Sequence, residues 1–223
     1  MFTSAVLQWI AVITMLIDHI GCYLLGNFEP FRMIGRLAMP LFIFMLAEGF
    51  EKTSSRPRYF ARIFVTALIA EIPVYLLHIN DMANYNHNIL FTMLLSFFAL
   101  YTTEKGKSWL IIVVLPLTAL AASAFNCEYG AFGVMLAVGF YLVNKYSPKQ
   151  IFVRFTAILA ILLVTMIPLA SYENWPIQLC SICAVIPLTL YNGKKGQRLP
   201  RYFLYAFYPA HLFAIWLLTL TLH

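Results

Sequence analysis

Near the N-terminus an apolar run carries the septet Met15-Leu16-Ile17-Asp18-His19-Ile20-Gly21. An acid beside an imidazole in such surroundings needs an explanation, because burying an unpaired carboxylate costs several kcal/mol. The other ionisable residues inside apolar runs are few: Arg36, Glu48, Glu71 and His211. Imidazole titrates near neutrality and can take a proton from a nucleophile. His19 is therefore the candidate general base, and His211 is chemically able to do the same work. Neighbours on a helix point about 100° apart, so Asp18 and His19 cannot pair with each other. Asp18 needs a cation, and Arg36 is the nearest in sequence at a matching depth.

Helical spacing groups further polar residues. Glu71, Tyr75 and His78 fall on one face, as do Asn88, Thr92 and Ser96, and then Tyr205, Tyr208 and His211. With Asp18 and His19, four helices present polar faces, which predicts a buried cavity for water or substrate. Each group also has a structural reading. Asp18–Arg36 can be a buried ion pair, Asn88–Thr92–Ser96 interhelical hydrogen bonds, and Glu48 a solvated interfacial residue.

These residues must be positioned by membrane helices. The 223-residue chain is 62% hydrophobic and 11% charged, with a mean hydropathy of +0.80. A soluble domain would carry about 25% charged residues. The net charge of +6 sits in short loops between apolar runs, which excludes a nucleic-acid-binding module. Nine helical spans are predicted, roughly 5–26, 35–51, 59–78, 88–103, 108–125, 130–144, 151–171, 175–191 and 202–222, as one all-α membrane domain covering 1–223. The first is too long for the h-region of a cleaved signal peptide. All 15 Lys and Arg residues except Arg32 and Arg36 lie in alternate loops. The positive-inside rule then puts the N-terminus in the cytoplasm and the C-terminus outside. Cys180 and Cys183 have C-x-x-C spacing without a second ligand pair, so no metal is expected. A Cys22–Cys127 disulfide would require both residues on an oxidising side.

The segments "IAVITMLIDHIG", "IGRLAMPLFIFMLAEGF", "RIFVTALIAEIP", "NILFTMLL", "YNGKKG" and "FYPAHL" together resemble the TraX family, in order and over nearly the whole chain. That family is associated with N-terminal acetylation of conjugative pilin. It is also distantly similar to larger membrane acyltransferases that carry acetyl groups from cytoplasmic acetyl-CoA to acceptors beyond the membrane. The resemblance implicates Asp18, His19, Arg36, Glu48, Glu71 and His211.

The expectation is an acetyl-CoA-dependent acetyltransferase of the inner (cytoplasmic) membrane, acting on a peptide, small-molecule or sugar amine or hydroxyl. His19 is the expected base and Asp18 supports the charge of the site through Arg36. Glu71 and His211 position the acceptor, and Glu48, Tyr75, Asn88, Thr92 and Tyr208 shape the cavity. Arg58, Arg62, Lys194, Lys195 and Arg198 are expected to meet the phosphates of coenzyme A. The rival class is a proton-coupled transporter or channel with an Asp/His/Glu relay. The acceptor and the oligomeric state stay open.

Overall fold

Helix α1 (Ser4–His19) begins where the Thr3 hydroxyl accepts a hydrogen bond from the Val6 amide, satisfying one of the helix's free donors. It continues through a π turn, Ile20–Leu24, the kind of bulge that frequently marks a functional position. The computed structural model describes every residue except Lys107, Pro148, Lys149, Asn174, Arg198, Leu199, Arg201, His223 and the side chain of Ser108. Helices α2 (Glu29–Gly35) and α3 (Ala38–Lys52) follow, then α4 (Arg56–Leu77), α5 (Ile89–Lys105), α6 (Ser108–Ala124), α7 (Gly130–Tyr146) and α8 (Ile151–Tyr172). A 3-10 segment, Pro176–Ala184, leads into the short α9 (Val185–Thr189), and α10 (Phe203–Leu222) closes the fold. The described residues form no strand beyond two isolated bridges.

Among the described residues, five helical segments are long and apolar enough to cross a membrane: Ser4–Leu24, Glu29–Lys52, Arg56–Leu77, Ile151–Tyr172 and Phe203–Leu222. The nine predicted spans correspond in place to helical segments, but not all reach that length. Helices α5, α6 and α7 have 17 residues each, or about 25 Å, against a hydrocarbon core of about 30 Å. The eighth predicted span departs most, being largely a 3-10 coil rather than an α-helix.

Helix α3 lies between α1 and α7, and α4 between α5 and α10. The core between them is aromatic, with Phe44 edge-on to both Phe140 and Tyr191 at 5.5 and 5.6 Å. Prolines 73, 116, 168 and 209 fall inside helices, where neighbouring helices and local adjustment absorb the lost hydrogen bond.

The connecting segments gather at two opposite ends. At one, the amides of Ser4 and Ala5 donate to the carbonyls of Lys194 and Lys195, the Lys52 ammonium donates to Gly193, and Arg56 grips Glu104 with two bonds of 2.5 Å. At the other, Phe28 N donates to Gly21 O, His87 N to Asn126 O, and Glu128 N to His87 O. The basic loops that share the first end are those the charge pattern assigned to one side.

Candidate active site

Asp18 lies at the second end, at the close of α1, buried to 5% exposure. Arg36 Nη2 contacts both its carboxylate oxygens at 2.6 Å. Arg32, which lies between the first two predicted spans, adds a contact of 2.5 Å from Nη1. Arg36 Nη1 also donates to the Tyr129 hydroxyl at 3.0 Å and to Gln178 Oε1 at 3.1 Å. The Trp175 ring packs against both guanidinium groups, 5.0 Å from Arg32 and 4.9 Å from Arg36. Gly35 is what lets α2 come this close, because a Cβ there would overlap the Asp18 carboxyl. Gly21 does the same one turn on, where a Cβ would meet Phe31. The glycines of "DHIG" and "IGR" are thus two halves of one close approach. The cluster holds two cations against one bound carboxylate. Arg32 Nε and Arg36 Nε are buried with no hydrogen-bond partner among the described residues, so donor capacity remains.

The adjacent residue turns away from this cluster to meet α10. His19 Nδ1 lies 2.7 Å from His211 Nε2, with the two rings within 11° of parallel. His211 Nδ1 lies 2.8 Å from the Phe207 carbonyl oxygen. A carbonyl only accepts, so His211 Nδ1 carries the proton and donates. In the neutral pair His211 Nε2 is then an acceptor, and His19 Nδ1 must donate to it. His19 Nε2 is left with a free lone pair. The sequence offered two histidines for one task; the geometry makes them one unit, with His211 fixing the tautomer of His19.

Between the helices runs a cavity of about 450 Å³. Its mouth is at the basic end, among Lys52, Arg62 and Lys195, and along α1 its lining passes from Ser4 to Met15, a rise of about 16 Å. Its inner end reaches Phe207 and Tyr208, whose rings lie 4.9 and 5.7 Å from His211. Glu48 also lines it, held by Lys52 at 2.6 Å and by the Tyr191 hydroxyl. Of the cations expected to meet coenzyme A, Arg62 and Lys195 are at this mouth. Arg58 and Lys194 do not line the cavity, and Arg198 lies outside the described residues. Lys52 takes a place in the rim that the sequence reading had not given it.

Glu71, expected to position the acceptor, has partners of its own. Glu71 is bound by Tyr85 and His87, by the Asn88 side chain at 2.5 Å and by the Asn88 amide at 3.2 Å. The loop after α4 folds back to supply these partners, which helical spacing within α4 could not show. Tyr75 is exposed, its ring 6.1 Å from Tyr85. Asn88 caps α5 by accepting from Leu90 N and ties it to α4 through Ala67 O. Thr92 donates to Glu128 O at 2.6 Å and Ser96 to Thr92 O. This stripe therefore joins helices rather than lining the cavity. Cys22, Cys127, Cys180 and Cys183 are all free thiols, and burial pushes the Cys127 thiol up to about 11.

Tyr129, Gln178 and Glu128 had no signal in the sequence. Glu128, in the turn between α6 and α7, lies within electrostatic reach of Arg36, Asp18, Arg32 and Glu173. Burial pushes its carboxyl up to about 7; Asp18 and Glu173 add to the shift, and Arg36 and Arg32 oppose it. A lone acid in a connecting turn carries no periodicity that would single it out.

Apolar helices enclosing a buried charge cluster, an imidazole pair and a cavity define a multi-pass membrane protein with an internal polar site. The chain belongs to the TraX family, whose "TraX protein" profile matches residues 3–219. It is 29% identical over 236 residues to the probable fimbrial assembly protein FimC, serogroup H1, of Dichelobacter nodosus, with 95% of this chain and 93% of that one covered. It is 25% identical over 224 residues to Protein TraX of Escherichia coli, covering 96% and 86%. It is also 26% identical over 179 residues to the uncharacterized protein RP591 of Rickettsia prowazekii (strain Madrid E), covering 80% and 60%. No solved structure matches the chain.

Proposed function

We propose that the chain is an acetyltransferase of the cytoplasmic membrane, moving acetyl from acetyl-CoA to an acceptor amine at the opposite face. The observation that carries this reading is the His19–His211 pair, which frees His19 Nε2 as a base, with His211 packed against Phe207 and Tyr208 at the inner end of a cavity with a cationic mouth. Lys52, Arg62 and Lys195 would meet the phosphates of the donor, and the cavity would take its extended thioester arm. The nucleophile would lose a proton to His19 Nε2 as it attacks the acetyl carbonyl. The same proton would pass to the departing thiolate as the C–S bond breaks. The residual positive charge of Arg32 and Arg36 and their spare donors suit the oxyanion of the tetrahedral intermediate.

An amine acceptor is favoured because one relative is named as a fimbrial assembly protein; a hydroxyl acceptor would use the same base. The basic end would face the cytoplasm by the positive-inside rule. Nine crossings, four of them short, would put the C-terminus outside. Purified protein in lipid nanodiscs, given labelled acetyl-CoA and peptides with free α-amines, should yield acetylated peptide and be stabilised by acetyl-CoA. Proton-coupled uptake into liposomes with neither of those results would favour the transporter reading.

A further inference from the structure

The chain has nine acidic residues. Asp18, Glu48, Glu71 and Glu104 are each held by an ion pair or hydrogen bonds. Glu29, Glu51, Asp81 and Glu173 are exposed to solvent. Glu128 is neither exposed nor held, since no hydrogen bond or ion pair reaches its carboxylate among the described residues. Its backbone, by contrast, is pinned on both sides. The Glu128 amide donates to His87 O at 2.9 Å, and its carbonyl accepts from Thr92 at 2.6 Å. Asn126 and Tyr129 flank it in the left-handed region, at φ 47° and 64°. That region is costly for side chains with a Cβ and clusters at functional sites. A turn held in this way fixes where a carboxylate stands while leaving its oxygens unengaged.

The ionisable groups within electrostatic reach of Glu128 come from five elements. From the end of α1 and its π turn come Asp18, Cys22 and Tyr23, and from α2 and its C-cap Arg32 and Arg36. Tyr129 follows it in the chain, Glu173 caps α8, and Tyr208 stands on α10. Two of these bracket the imidazole pair, with the Tyr23 ring 6.0 Å from His19 and the Tyr208 ring 5.7 Å from His211. Tyr129, the next residue, is bonded by Arg36 at 3.0 Å, and Arg36 binds Asp18, the residue before His19, so Glu128 stands beside that cluster. Of its two acids not bound by arginine, Glu128 and Glu173, Glu128 is the one not exposed to solvent.

We propose that Glu128 receives the acceptor's ammonium group and takes its first proton, so that the amine meets the thioester uncharged. This rests on the acetyl-transfer reading above. An amine acceptor arrives as R–NH3⁺, which has no lone pair. The Glu128 carboxylate takes one proton and later passes it to water. The freed nitrogen attacks the acetyl carbonyl and a C–N bond forms. Its second proton goes to His19 Nε2, the C–S bond breaks with its electrons on sulfur, and His19 returns the proton to give coenzyme A thiol. One proton is released overall. Asp18 cannot do this work while both its oxygens are bound by Arg36. The upward shift of the Glu128 carboxyl leaves it poised to gain and lose a proton near neutral pH.

The test compares the parent with Glu128→Gln in nanodiscs, using a library of short peptides with free α-amino termini and labelled acetyl-CoA. An α-amine has a pKa of about 8, so at pH 7 only about a tenth is already neutral. Glu128→Gln should lose about tenfold in kcat/KM for peptide at pH 7 and recover to within about twofold of the parent at pH 9. The KM for acetyl-CoA and the thermal stabilisation by acetyl-CoA should not change. Glu128→Asp keeps the carboxylate and should retain more of the pH 7 rate, and it serves if the Gln variant does not fold. Equal rates for parent and Glu128→Gln at pH 7, or an equal loss at both pH values in folded protein, would overturn the proposal. A parent that is neither stabilised by acetyl-CoA nor able to acetylate any peptide would instead overturn the acetyl-transfer reading itself.

Discussion

His211 holds His19 in one tautomer: its Nε2 lies 2.7 Å from His19 Nδ1, while its own Nδ1 is committed to the Phe207 carbonyl. Two histidines 192 positions apart therefore act on one lone pair, at His19 Nε2. General-base assistance is worth about 10²–10⁴-fold, so His19→Ala should lose at least about 10² in kcat. His211→Ala should lose part of this by releasing the tautomer. His211→Gln retains a side-chain oxygen that can accept from His19 Nδ1 and should lose less than His211→Ala. Initial rates of acetyl transfer for the three variants check the order. His211→Ala falling well below His19→Ala would make His211 the base.

Asp18 is bound by two arginines, whereas each arginine has other company. Removing one partner from a buried ion pair typically costs about 3–5 kcal/mol. Asp18→Asn leaves Arg32 and Arg36 facing each other and should cost an amount in this range. Arg36→Gln leaves Asp18 with Arg32 and should cost less. Gly35→Ala forces a Cβ into the Asp18 carboxyl and should also destabilise, by about 1–3 kcal/mol or more. Thermal unfolding in one detergent ranks the three.

Glu128 gives a stability change whose sign follows from its environment. Burial raises its carboxyl from the ordinary 4.5 to about 7 in the folded protein. Between those values the folded state holds the proton more tightly than the unfolded state. The contribution is fully present below about pH 4.5 and is lost as pH rises through about 7. Glu128→Gln cannot ionise, so its melting temperature relative to the parent should rise from pH 4.5 to pH 8. A constant difference across that window would mean that Glu128 is not buried as described.

The cavity mouth separates cations that the sequence grouped together. Neutralising Lys52, Arg62 and Lys195 should raise the KM for acetyl-CoA at least about tenfold, the order expected from losing several charge-assisted phosphate contacts. Neutralising Arg58 and Lys194, which do not line the cavity, should change it less than about threefold. Steady-state kinetics on the two combined variants decides, and a reversed order would move the donor site.

What the sequence revealed depended on whether the cause was local. Asp18, His19, Arg36 and His211 were legible because ionisable groups are rare in apolar helices and rarity itself marks them. Helical segments could be placed because runs of apolar residues and loop charges are local features. Arg32 was missed because the seven-residue α2 is too short to show a face, and Glu128, Tyr129 and Gln178 because turns and 3-10 segments have no helical period. The partners of Glu71, Tyr85 and His87, come from a loop whose return path no spacing predicts. The His19–His211 contact joins the first and last helices, and only their packing could set which imidazole orients the other.

The sidedness of the chain follows from its loops. A lone cysteine in place of Lys105 should react only with reagents that reach the cytoplasm, in a background without the four natural cysteines. One in place of Asn84 should react from outside intact cells. Both reacting from the same side would contradict an odd number of crossings between them.

The central claim is that His19 serves acetyl transfer, and it is tested most directly by pairing two readouts on parent and His19→Ala protein in nanodiscs. Acetyl-CoA should stabilise both against heat to a similar extent. Only the parent should convert labelled acetyl-CoA and free-amine peptide to acetylated peptide and one equivalent of coenzyme A thiol at an appreciable rate. Transfer by His19→Ala at the parent's rate, or stabilisation and product absent from the parent, would contradict it.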